Sequence, residues 1–283
     1  MKRSLFMTVT GILSLAAVSA FLMMREEKPE SLSDLGGILK VGIECDFAPY
    51  NWEESQASGT NQPLSNKKGF YAEGYDVQIV RKIAERLNLK TEFFKIPWED
   101  MLTALNDGRI DTVVSGMVDT RERRQIADFS HVYAPSPIKY TIVVRRDSRY
   151  AAGTTLADFF NARLIGQKGA MMDTLIDQIY GAAHLPPVDT VPDMFREVNG
   201  GNADALVINM ESVGPYLKKY PDMMAVNFAH GEGFKLGFSG ICAAFRKKDK
   251  GLLKAFNRVL FSIPTEERLT IMEQMSAKTE KSS

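Results

Sequence analysis

Apolar and polar positions along this chain alternate between two periods. Ile38, Leu39, Val41 and Ile43 make a short apolar run of the length of a buried strand. After Asp76, the apolar residues Val77, Val80, Ile83, Ala84 and Leu87 recur three or four apart, with Arg81, Lys82, Glu85 and Arg86 between them, which is the pattern of an amphipathic helix. The alternation repeats. It predicts strands over residues 91–96, 112–115, 140–144, 164–166, near 188–191 and over 205–208, and helices over 98–106, 121–127, 171–180, 192–199 and 211–219. Strands that alternate with helices imply an α/β protein with parallel sheets covered on both faces.

Two stretches break the rhythm. Residues 51–71 are rich in Ser, Asn, Gly and Lys and read as an exposed hairpin or loop. Residues 262–278, with Pro264 and Thr265 at their start, read as a helix packed on the outside, followed by a frayed tail over residues 278–283.

The 283 residues are 45% hydrophobic and 25% charged, enough for two lobes with separate cores. Formal net charge is zero, so no basic excess points to nucleic acid. His131, His184 and His230 are far apart, and Cys45 and Cys242 form no CxxC or Cys/His cluster, so no metal or other cofactor is expected. The thiols are open to two readings, a disulfide in an exported chain or two buried free cysteines.

The N-terminus reads as an export signal. Lys2 and Arg3 precede an uncharged run from Leu5 to Met24. Val18-Ser19-Ala20 offers small residues for cleavage, yet the run is also long enough to stay as an anchor, with the rest of the chain outside in either case. No Cys lies between that run and Cys45 to carry a lipid.

The densest chemistry lies in Asp111-Thr-Val-Val-Ser-Gly-Met-Val-Asp-Thr-Arg-Glu-Arg123. A buried strand, a Ser-Gly turn and a Thr-x-x-Arg helix opening put a forked permanent cation beside free backbone N–H groups, which suits a carboxylate. Gly74-Tyr75-Asp76, the run Pro97-Trp98-Glu99-Asp100-Met101-Leu102 and Ala127-Asp128-Phe129-Ser130 flank it in fixed order. In these four motifs, over roughly residues 37–260, the chain resembles the bacterial extracellular solute-binding proteins of the polar amino-acid ABC transporters, family 3.

The resemblance implies a two-lobed clamshell of the type II periplasmic-binding-protein class, with two hinge strands. Lobe one would comprise residues 37–136 and 232–278 and lobe two residues 137–231, with residues 1–24 as signal or anchor. The crossings would fall near residues 134–139 and 228–237. It also implies a monomer without catalytic residues, exported to the periplasm or cell surface, that takes an amino acid or related carboxylate and delivers it to an ABC permease. Two alternatives share the fold: an enzyme like cyclohexadienyl dehydratase, using Glu44 or Glu211 as proton donor, and a membrane-tethered sensor.

Residue by residue, the resemblance gives Arg123 the ligand carboxylate; the plain alternative is a surface ion pair with Glu122 or Asp119, and Arg121 and Arg124 read as solvated. Phe47 and Trp98 would sandwich the ligand side chain, against ordinary core packing, while Tyr50 and Trp52 read either way. Glu44 would meet a distal ligand cation or pair with Lys40 or Lys95. Ser115 and Gly116 would offer backbone to the ligand, and Val118, where relatives carry Ser or Thr, only its N–H. Lobe two departs further from the pattern: Gly169 and Met171 stand in a turn without hydroxyls, and Asn209 replaces an acid that meets the ligand ammonium. Glu211 would either take over that role or cap its own helix.

Overall fold

A computed structural model describes residues 37–281; the expected export segment over residues 1–24 lies outside them. The described chain forms two α/β lobes. The first is built on a five-stranded sheet in the order Lys90–Lys95, Ile38–Ile43, Thr112–Val113, Cys242–Phe245, Asp128–Val132. The second has the order Ala183–His184, Arg163–Ile165, Ala205–Asn209, Tyr140–Arg145, Met223–Ala225.

Neither sheet is wholly parallel, which corrects the expectation from alternation. In the first, Cys242–Phe245 runs antiparallel to both neighbours; in the second, Tyr140–Arg145 does. Both are the strands the chain forms on arriving from the other lobe, so each enters its sheet from the far end. Asp128–Val132 and Met223–Ala225, at the sheet edges, pair only with those two strands, and the other core strands pair parallel through helical crossovers.

Most predicted elements form within a residue or two. The predicted strand near residues 188–191 does not: Val188 makes a single bridge to Gln167, and Val191 opens the helix Val191–Asn199. Thr190 caps that helix by accepting from Asp193 N, and Pro192 fits its first turn, so capping outweighs β-propensity there. The helix predicted over residues 171–180 breaks after Thr174 into a tighter turn, Leu175–Gln178. The pattern did not predict the strands Asp128–Val132 and Met223–Ala225.

The polar stretch after Asn51 is an ordered structure. Asp46–Phe47, Asn51–Glu54, Tyr71–Glu73 and Gln62–Pro63 form a third, antiparallel sheet beside lobe one. Glu73, fully buried, anchors it by accepting from Thr60 Oγ1 (2.7 Å) and pairing with Lys278. Lys278 belongs to the helix Thr265–Lys281, which takes in residues 278–281 of the expected frayed tail; residues 282–283 lie outside the described residues. That helix buries Ile271, Met272 and Met275, and packs on Tyr75–Arg86 of lobe one and Val213–Lys219 of lobe two.

Both crossings are tied down at their ends. On the return, Lys235 N donates to Gln178 Oε1 (2.9 Å) of lobe two, whereas Ser239 N donates to Asp119 Oδ1 (3.0 Å) of lobe one. On the outward path, Arg268 Nη1 donates to the carbonyls of Val132 and Tyr133 (3.2 and 3.3 Å).

Candidate ligand-binding cleft

The lobe-one wall is assembled by a buried polar chain. After strand Ile38–Ile43 the backbone bends at Cys45, which takes a left-handed φ of 62°. Asn51 Oδ1 holds the bend by accepting from Cys45 N (2.8 Å), and its Nδ2 donates to Asp76 Oδ2 (2.8 Å). Asp76 Oδ1 accepts from the Tyr133 hydroxyl (2.8 Å), whose oxygen in turn accepts from Gly116 N (3.1 Å). Asp76 therefore ties the two loops of the wall together. Burial pushes its carboxyl up to about 7, against the pull of the Tyr133 and Asn51 hydrogen bonds. Gly116 is needed where it stands: at φ 65°, a Cβ there would lie 2.8 Å from the Phe47 ring.

A narrow cavity lies between the lobes. Glu44, Phe47, Trp98, Ser115, Gly116, Val118 and Arg123 line it from lobe one, and Met171 from lobe two. Gly169, expected at the site, does not line the cavity; its carbonyl accepts from Arg123 Nη2 at 3.0 Å. Tyr140, Gln167, Ala170 and Met172 also line the cavity and were missed. Gln167 stands two residues before Gly169 in the same turn, and Tyr140 opens the first strand of lobe two; position beside known features was the only signal for either.

Three further expectations need correction. Asn209 does not line the cavity: it is fully buried, and its Oδ1 accepts from Glu211 N (2.9 Å), so the amide caps its own turn as short polar side chains do at helix starts. The Gly116 N–H is spent on Tyr133. The carbonyl of Val118, rather than its N–H, holds a cleft residue, accepting from Arg123 Nη1 at 2.9 Å.

Arg123 is half-buried in the first turn of helix Arg121–Ile126, with Thr120 capping that helix. Its guanidinium lies 5.2 Å from the Trp98 ring centroid and donates to the Val118 and Gly169 carbonyls. It enters no ion pair among the described residues. Asp119 pairs with Arg124, which is therefore not simply solvated. Loss of water pulls the Arg123 pKa down from its ordinary value.

Glu44 is 4% exposed. It pairs with neither lysine: Lys95 goes to Asp46 (3.2 Å) and Glu53 (3.3 Å), and the Lys40 backbone N donates to Asp111. Glu44 Oε1 accepts from Gln167 Nε2 of lobe two. Burial, helped by the nearby Asp46 charge, pushes its carboxyl up to about 8. Tyr50 stacks behind Phe47 (5.3 Å), whereas Trp52 turns away to donate to Glu54 (2.8 Å).

The lobes are shut on one another. Besides the Arg123 and Gln167 contacts, the Tyr50 hydroxyl donates to Glu211 Oε2 (3.0 Å), the Tyr216 hydroxyl to Asp46 O (2.9 Å), and Lys168 pairs with Glu99 (2.5 Å). Cys45 and Cys242 are free and buried, and burial pushes the Cys242 thiol up to about 12. Among the described residues, no group of three His, Cys, Asp or Glu is placed to hold a metal, and no helix is long and apolar enough to cross a membrane.

A cleft of this build has known counterparts. The family model for bacterial extracellular solute-binding proteins, family 3, matches residues 39–275. Over 80% of this chain and 77% of its own length, a probable histidine-binding protein of Neisseria gonorrhoeae is 26% identical. The L-cystine-binding protein TcyJ of Escherichia coli K12 is 24% identical over 93% of this chain and 94% of its own. Among solved structures, arginine-bound ArgBP from T. maritima superposes with a TM-score of 0.68 at 26% identity, covering 82% of this chain and all of that one. The chain belongs to the bacterial extracellular solute-binding proteins, family 3.

Proposed function

We propose that this protein captures an amino acid or a closely related small carboxylate outside the cytoplasm, closes on it, and presents it to an ABC permease. The observation that carries this reading is Arg123: a guanidinium in the cleft whose acceptors are the neutral carbonyls of Val118 and Gly169. A ligand carboxylate would supply the missing counter-charge and take up the fork in a bidentate pair. Phe47 and Trp98 offer flat apolar faces for the side chain. Relatives named for binding histidine, L-cystine and arginine support the amino-acid class.

Binding without chemistry is part of the proposal. The two carboxyls suited to proton transfer are engaged in closing the lobes, Glu44 with Gln167 and Glu211 with Tyr50. Incubation with prephenate and arogenate should give no protein-dependent phenylpyruvate or phenylalanine; multiple turnovers would replace transport by catalysis.

Arg123→Ala tests the anchor by calorimetry against a panel of L-amino acids. Loss of a charge-assisted fork should weaken the best ligand about 100-fold or more. The ligand-free melting temperature should hold or rise, because a desolvated cation is removed. Unchanged affinity would remove Arg123 from the site.

A further inference from the structure

A second cavity, of about 420 Å³, opens on the flank of the closed cleft. It shares Glu44 and Trp98 with the small cavity and continues between Pro97, Glu99 and Asp100 of lobe one and Lys168, Asp189 and Thr190 of lobe two. Glu44 and Trp98 are thus a threshold between two spaces, of which the outer is much the larger. Shutting the lobes leaves this side open, although the Lys168–Glu99 pair spans the lobes there.

The charges along the groove are unequal. Its lysines are committed, Lys95 to Asp46 and Glu53 and Lys168 to Glu99. The carboxylates of Asp100 and Asp189 enter no ion pair among the described residues. At the threshold, Glu44 is buried with one oxygen on Gln167 and the other without a protein donor among the described residues. Acceptors left over in a groove that closure does not fill suit a cation arriving on the end of a long ligand.

We infer that the ligand is elongated: its carboxylate sits on Arg123, its chain passes between Glu44 and Trp98, and a cationic far end lies in the lateral groove beside Asp100 and Asp189 while the lobes are shut. The inference rests on the Arg123 reading for one end of the ligand and adds the other. It assigns the protein to amino acids extended at the side-chain terminus, beyond the length of a free amino acid held in the small cavity.

The test is calorimetry at low and moderate salt with L-alanine, L-lysine, and L-lysine carrying a β-alanyl group on its side-chain nitrogen, which moves the cation outward. The extended compound should bind at least as tightly as L-lysine. Asp100→Asn/Asp189→Asn should weaken it about 10-fold, a few-fold for each exposed carboxylate, with less effect at higher salt and none on L-alanine. Asp189→Trp, a plug at an exposed position, should exclude the extended compound and spare L-alanine. Rejection of the extended compound by unaltered protein that binds L-lysine or L-alanine would overturn the groove, as would full affinity in both variants. Loss of all three ligands in Arg123→Ala reports on the carboxylate anchor alone, and failure of all three to bind unaltered protein overturns anchor and groove together.

Discussion

The two walls of the cleft satisfy their polar groups differently. In lobe one, Ser115 Oγ accepts from Glu44 N (3.0 Å), and Asn51, Asp76, Tyr133 and Gly116 form one hydrogen-bonded chain, all inside the lobe. In lobe two, Gln167 donates to Asp189 O (3.0 Å) within the lobe but also reaches across to Glu44, the Gly169 carbonyl accepts from Arg123, and Glu211 accepts from Tyr50. Ser212 Oγ, fully buried, has no hydrogen-bond partner among the described residues. Lobe one is therefore a preformed receiver, while lobe two is completed by closing. Preorganisation on one side limits what must be ordered when ligand arrives, and closure adds the contacts of the other.

The largest test of the preformed wall is Asp76→Ala. It removes the acceptor of both Tyr133 and Asn51 inside a fully buried network, leaving two donors without partners. The expected cost is about 3 kcal/mol or more in urea unfolding. Ligand affinity should fall as well, since the Cys45 bend and the Gly116 turn both hang from that carboxyl. A loss under 1 kcal/mol would mean that the wall is held by packing and that its order owes little to hydrogen bonds.

That difference between the walls also explains what the sequence disclosed. The lobe-one residues that line the cavity sit in local motifs, in which Thr120 caps the helix that carries Arg123 and Gly116 makes room for Phe47, so the likeness of those motifs to the family's pointed to them. The helices and the central strands were legible for the same reason, because apolar periodicity is local. Lobe-two contributors such as Tyr140 and Gln167 owe their role to how the second lobe lands on the first, which no local pattern encodes. Asn209 misled because an amide at a helix start has a backbone N–H within reach, and that nearby partner won over the cleft. The antiparallel strands were hidden likewise, since strand direction depends on the crossings.

Glu44 is the point where the two walls meet, and it predicts a pH effect. The folded, ligand-free protein holds its proton up to about 8, whereas the unfolded chain releases it near 4.5. Between those values the folded state binds more protons, so this residue makes stability fall as pH rises through the window. Asp76, raised to about 7, adds a slope of the same sign over the lower part. Glu44→Gln should remove the Glu44 share: little change at pH 4.5, and a gain of a few kcal/mol, roughly 4 from the full shift, at pH 8. Urea midpoints across that range measure it, and parallel curves for the two proteins would show that Glu44 is ionised without penalty.

The smallest effect is the sharpest comparison, because it sets one buried serine against another. Ser115→Ala leaves the Glu44 N–H without its acceptor, which should cost about 1–3 kcal/mol. Ser212→Ala, in a turn of lobe two, breaks no hydrogen bond among the described residues. It removes a hydroxyl that is already stripped of water without a partner, so stability should be unchanged or rise by up to about 1 kcal/mol. Both changes delete the same atom at fully or nearly fully buried positions, so the hydrophobic and cavity contributions largely cancel between them. If Ser212→Ala proves as costly as Ser115→Ala, the lobe-two turn has its own preformed partner, and the division into receiver and closer fails at that residue.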